Sequence, residues 1–77
     1  MNPSVAYDTR DIEVLRELDR QEKYTVDAWR LKTTYEKVTD VKRRSTLRRR
    51  IRSLTASDDF ERVGFQRWRW NGRIPDE

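Results

Sequence analysis

Apolar residues fall along the chain in three sets with helical spacing, followed by one alternating run. In the first set Ile12, Leu15 and Leu18 recur at threes with Val14 beside them, which predicts a helix over residues 9 to 20. Asp8 or Thr9 serves as its N-cap, and Asp11 lies in the electropositive first turn. The remaining face alternates in sign through Arg10, Glu13, Arg16, Glu17 and Arg20, the ordinary pattern of a solvated helix. In the second set Ala28, Leu31, Tyr35 and Val38 share one face, predicting a helix from Val26 to about Lys37 capped by Thr25. Lys23-Tyr24-Thr25 before it has the composition of a very short strand. Trp29 falls off the apolar stripe, so three roles stay open to it: covering the core edge, meeting the C-terminal aromatic segment, or facing a partner. The third set is Leu47, Ile51 and Leu54 at i, i+4 and i+7, predicting a helix over residues 41 to 56 with Thr39-Asp40 as its cap.

After the polar turn Ser57-Asp58-Asp59 the period changes to two. Gln66, Trp68 and Trp70 fall on one face and Arg67 and Arg69 on the other, while Phe60, Val63 and Phe65 are β-formers. A hairpin of residues 60–63 and 66–70 turning near Gly64 follows. Asn71-Gly72 is a stronger turn dipeptide, but Pro75 leaves almost no partner strand beyond it. The predicted fold class is therefore α+β, mostly α: three helices and a short C-terminal β-hairpin in a single domain spanning 1–77. Residues 1–8 read as a loose arm and 71–77 as a flexible tail.

Charge sharpens this picture at one element. The third helix carries Lys42, Arg43, Arg44, Arg48, Arg49, Arg50 and Arg52, seven of the chain's 18 basic residues and none of its 14 acidic ones. Lys42, Ser45, Thr46, Arg49 and Arg52 lie opposite the Leu/Ile stripe, and Arg43, Arg44, Arg48 and Arg50 flank it. Like charges at i,i+4 destabilise an isolated helix, so such a cluster calls for an anionic partner. With a pI near 9.9, nucleic acid is the first candidate and an anionic membrane surface the second.

Enzymatic chemistry has little to stand on. The chain has no histidine and no cysteine, which excludes Ser-His and Cys-His nucleophile systems, histidine- or thiolate-ligated metals and disulfides. Its two glycines form no phosphate-cradling loop, and Asp58-Asp59 with Glu61 reads as a helix-ending turn. The expectation is a protein that is not an enzyme, with no cofactor, no metal and no evident small-molecule ligand. No apolar run reaches the roughly 18 residues of a membrane span. The N-terminus lacks a basic segment followed by an apolar one, so a cytoplasmic location is expected.

The order of two helices, a turn, a basic helix and an aromatic hairpin resembles the winged helix-turn-helix family of DNA-binding domains. The residues carrying the likeness are Ser45-Thr46-Leu47-Arg48-Arg49-Arg50-Ile51-Arg52-Ser53-Leu54, similar to that family's recognition helix, and 60–70, similar to its wing. Val38-Thr39-Asp40-Val41 replaces the family's usual small or glycine turn residue. The resemblance implies a sequence-specific double-stranded DNA-binding protein, a transcriptional regulator acting as a homodimer and associated with the nucleoid. Lys42, Ser45, Thr46 and Arg49 would face base edges in the major groove. Arg43, Arg44, Arg48, Arg50, Arg52, Arg67 and Arg69 would meet phosphates. Two alternatives compete with it: a sequence-tolerant RNA or architectural DNA binder, and a domain whose basic helix docks on an acidic protein.

Overall fold

A computed structural model describes residues 7–75, with elements in the order α1 (Thr9–Arg20), β1 (Thr25–Asp27), α2 (Ala28–Val38), α3 (Arg44–Thr55), β2 (Phe60–Gly64) and β3 (Arg67–Trp70). The fold is α+β and mostly α, with three helices and a C-terminal hairpin, as the apolar pattern predicts. Helix α1 keeps its expected bounds because its start is chemically fixed. The Asp8 carboxylate accepts from the Asp11 N–H at 3.0 Å, and the Asp11 carboxylate accepts from the Asp8 N–H at 3.1 Å, a reciprocal capping box.

The second helix starts two residues later than expected. Thr25 and Val26 enter the sheet, and Asp27 becomes the N-cap by accepting from the Arg30 N–H at 2.8 Å. The short strand is therefore Thr25–Asp27 rather than Lys23-Tyr24-Thr25. It pairs antiparallel with β3, matching Thr25 to Arg69, Val26 to Trp68 and Asp27 to Arg67. The β2 strand pairs on the other side of β3, giving the sheet order β1-β3-β2, with an irregularity between Arg62 and Gly64. Phe65 and Gln66 close the hairpin, Gln66 at φ 50°, so Gln66 belongs to the turn and not to the strand. The Ala28 N–H donates to the Gln66 carbonyl at 3.1 Å, tying the hairpin turn to the start of α2.

One core joins all three helices to the sheet: Val14, Leu15, Leu18, Val26, Leu31, Tyr35, Val41, Leu47, Leu54, Phe60 and Trp70 are buried together. The two hairpin tryptophans, which alternation puts on one face, divide. Trp70 is buried, its ring stacked between Tyr24 (centroids 5.5 Å apart) and Phe60 (6.3 Å), whereas Trp68 is half-buried at the margin. Ile51 is likewise only half-buried, unlike Leu47 and Leu54.

The ends are tied more closely than a loose arm and tail would be. The Tyr7 hydroxyl donates to Ser57 Oγ at 2.5 Å and approaches Asp59 Oδ2 at 3.0 Å. Asn71 donates through its N–H to the Asp59 carbonyl and through its side-chain amide to the Asp59 carboxylate, each at 3.0 Å, and Ile74 packs on the core. Gly72, at φ 83°, turns the chain there, where an added Cβ would sit 3.3 Å from the Tyr24 ring. The rest of the expected arm and tail, residues 1–6 and 76–77, lies outside the described residues. Among the described residues no helix is long and apolar enough to cross a membrane.

Candidate nucleic-acid interface

The basic helix begins later than its charge pattern suggests. Val41 is buried and Arg43 is extended (φ −73°, ψ 132°), so residues 39–43 form the connection between α2 and α3. Thr39 ends α2, its hydroxyl donating to the Tyr35 carbonyl at 2.6 Å and accepting from the Val41 N–H at 3.1 Å. Asp40, expected to cap α3, instead takes a two-pronged ion pair from Arg10 of α1 at 2.7 and 3.2 Å. Lys42 consequently lies off the helix. Its ammonium donates to the Glu36 carbonyl at 2.5 Å, where it complements the negative end of α2. Helix α3 has no side-chain N-cap and no acidic residue in its first turn. Its first N–H groups and positive dipole end are therefore not neutralised from within α3.

Packing of Leu47 and Leu54 into the core fixes which cations face outward. Ser45 and Arg49 project away from the core and are exposed, as are Arg43, Arg44, Arg48, Arg52 and Ser53, while Thr46 is half-buried at one flank. Among the described residues no carboxylate lies within ion-pair distance of Arg43, Arg44, Arg48, Arg49 or Arg52. Elsewhere some cations find partners, although Lys23, Arg30, Arg62, Arg67 and Arg73 also have no carboxylate within ion-pair distance among the described residues. Arg20 and Lys37 both reach Glu17, at 2.5 and 3.0 Å, and together with Gln21 they hold its carboxyl down at about 2.

Arg50 departs from the expected phosphate-facing set. It is the half-buried member of the cluster, paired with Asp8 at 2.5 Å and lying 3.7 Å from Asp11. Its guanidinium turns inward to the α1 cap, because the capping box places two carboxylates beside α3. Partial burial would raise the Asp8 carboxyl, but the Asp11 N–H and Arg50 outweigh it and hold it below its usual range. Asp11 is itself buried and accepts from the Tyr35 hydroxyl at 2.6 Å, so burial and that carboxylate both push the Tyr35 phenol upward. Arg50 thus fastens α3 to α1 rather than presenting charge.

Arg67 and Arg69 lie on the strand face that the alternation predicts, and the groove beside α3 is on the other one. Alternation puts them on the sheet face away from Trp68, and Arg69 approaches Glu61 at 3.8 Å. The hairpin cation on the α3 side is Arg62, directly opposite Trp68 in the register. Arg62, Trp68 and Phe65 form one wall of a groove of about 670 Å³, with Trp29 and Lys32 of α2 and Arg44, Arg48, Ile51 and Arg52 of α3 completing it. Trp29 is 65% exposed and outside the core cluster, so it faces this groove instead of covering the core edge. Lys32 and Arg62 carried no sequence signal beyond lying near Trp29 and Trp68. Among the described residues no group of three acidic side chains gathers as a metal would need, and Asp59 is engaged by Tyr7 and Asn71. No protein-family model, curated protein or solved structure matches this chain.

Proposed function

We propose that the chain binds double-stranded DNA with sequence preference, as a regulator of winged helix-turn-helix type, by laying α3 in the major groove. The observation that carries this reading is the set of five exposed arginines at 43, 44, 48, 49 and 52 with no carboxylate partner among the described residues, on a helix anchored by its opposite edge. The order α1-β1-α2-α3-β2-β3 and the sheet order β1-β3-β2 support the likeness to that family.

Each outward residue then has a chemical role. Arg49 and Ser45 face base edges, where a guanidinium can grip guanine O6 and N7 with two hydrogen bonds. Thr46 reaches the same groove from its flank. Arg43, Arg44, Arg48 and Arg52 neutralise phosphates, and the open α3 N-terminus adds donors for one more. Lys42, held at the end of α2, adds charge but no base contact, and Arg50 adds neither.

Selection of binding sites from random duplex DNA, followed by titration at several salt concentrations, tests this reading. A recurring site should emerge. With about five to eight phosphates neutralised, log K should fall against log salt with a slope near −0.9 per contact. Enrichment of no site with a steep salt slope would leave only sequence-tolerant binding, and a salt-independent affinity would remove nucleic acid altogether.

A further inference from the structure

The groove between α3 and the hairpin has a chemistry that duplex binding by the outer α3 face does not use. Its sides are cationic: Arg44, Arg48 and Arg52 succeed one another along α3 at i, i+4 and i+8, Arg62 faces them from β2, and Lys32 closes the end. Among the described residues no carboxylate lines it. Between these charges are flat aromatic surfaces. Trp29 is 65% exposed and Phe65 82% exposed, with the half-buried Trp68 and Ile51 as floor. Rings left this open contribute little burial to a chain with a lean core. They contrast with Trp70, Tyr35 and Phe60, which are buried.

We infer that this groove holds an unpaired nucleotide strand, with phosphates on the arginines and bases against Trp29 and Phe65. The proposal rests on the duplex reading and extends it: the preferred target is duplex DNA that adjoins an unstacked stretch. Three features favour this occupant. The cationic walls call for a polyanion, and all but Lys32 are arginines, whose planar forks match phosphate oxygens. Lys32 is itself shared with Glu36 at 3.3 Å. Open aromatic faces accept any base by stacking, which needs no donor or acceptor pattern. Finally, Arg48 and Arg52 border both the outer α3 face and the groove, so a strand leaving the duplex at α3 continues into it without a break in charge. A paired base would have to leave its stack to reach the rings, so an overhang, mismatch or branch is the cheaper ligand.

The test is a set of anisotropy titrations at one fixed salt concentration, with the full chain and a selected duplex. The duplex is offered blunt-ended, and again with a short oligothymidine extension on either strand. The extended duplex should bind about tenfold more tightly for each stacked base. Trp29→Ala and Phe65→Ala should remove that advantage while leaving blunt-duplex affinity near wild type, and Trp29→Phe should restore it. Quenching of tryptophan fluorescence by the extension should be smaller in Trp29→Phe, with Trp68 at the groove floor as the remaining reporter. Equal wild-type affinity for blunt and extended duplexes would overturn the inference and leave duplex binding standing. Failure to bind any duplex would instead overturn the functional reading. The groove is then probed with free oligothymidylate, and binding that survives Trp29→Ala overturns the inference too. Stronger, Trp29-dependent binding of an acidic Glu/Tyr copolymer than of oligothymidylate would make the groove a protein-docking site and likewise overturn it.

Discussion

Leu47→Ala and Ile51→Ala remove side chains that the sequence pattern treats as equivalent, yet their surroundings differ. Leu47 is 2% exposed and belongs to the buried cluster with Leu15, Leu18, Leu31 and Trp70. Truncating it leaves a cavity that α3 cannot close without shifting, so the expected loss is roughly 2–5 kcal/mol. Ile51 lies at the groove, where solvent already reaches one side and can fill the space vacated. Taking about half the burial value of a full aliphatic side chain gives roughly 1 kcal/mol. A domain of this length has about 4–12 kcal/mol in total, so Leu47→Ala removes a large share of it. In melting temperature, roughly 4–8 °C per kcal/mol makes the Leu47→Ala loss at least twice that of Ile51→Ala. Paired thermal melts and urea titrations by circular dichroism measure both, with the urea slope required to stay constant. Equal losses, or a larger loss for Ile51→Ala, would mean that α3 packs by a different edge, and the assignment of its outward arginines would fall with it.

Two further predictions concern the link between α1 and α3. Tyr35→Phe leaves the buried Asp11 carboxylate short of one donor and should cost roughly 1–3 kcal/mol, seen as a lower urea midpoint; an unchanged midpoint would show that the hydrogen bond at 2.6 Å contributes nothing. Asp8→Asn keeps a competent N-cap but removes the charge facing Arg50. Because the folded Asp8 carboxyl is depressed, its contribution is present above the unfolded value near ~3.9 and is lost as pH falls through the folded one. The variant should therefore melt lower than wild type at neutral pH and converge with it below about pH 4; a gap that persists in acid would point to packing instead.

How much was legible in the chain follows from how local each determinant is. The α1 boundaries were readable because the capping box spans four consecutive positions, Asp8 to Asp11. The apolar edge of α3 was readable for the same reason, its spacing being internal to one helix. Whatever depends on distant partners was not. Arg50 looks like its neighbours in sequence, and only the approach of α1, 42 positions away, turns it inward. Thr25 looks like a helix cap, but pairing with Arg69 of β3 draws it into the sheet and passes the cap to Asp27. Lys42 carries a base-facing charge by helical phase, but burial of Val41 holds the chain extended and delays the helix. For Arg67 and Arg69, alternation gave the two faces of the strand correctly, but which face would meet α3 depends on the order of the whole sheet.

The central claim is that the outer face of α3 reads base sequence, and Arg49 is the residue to ask. It is exposed, lies opposite Leu47, and has no ion-pair partner among the described residues. The measurement is a matched pair of titrations, selected duplex and scrambled duplex, for wild type and Arg49→Ala at one stated salt concentration. Loss of a two-pronged base contact should weaken binding to the selected site by about 1–3 kcal/mol and leave the scrambled duplex nearly unchanged. Equal weakening on both would make Arg49 a phosphate contact and contradict sequence-specific readout by this helix.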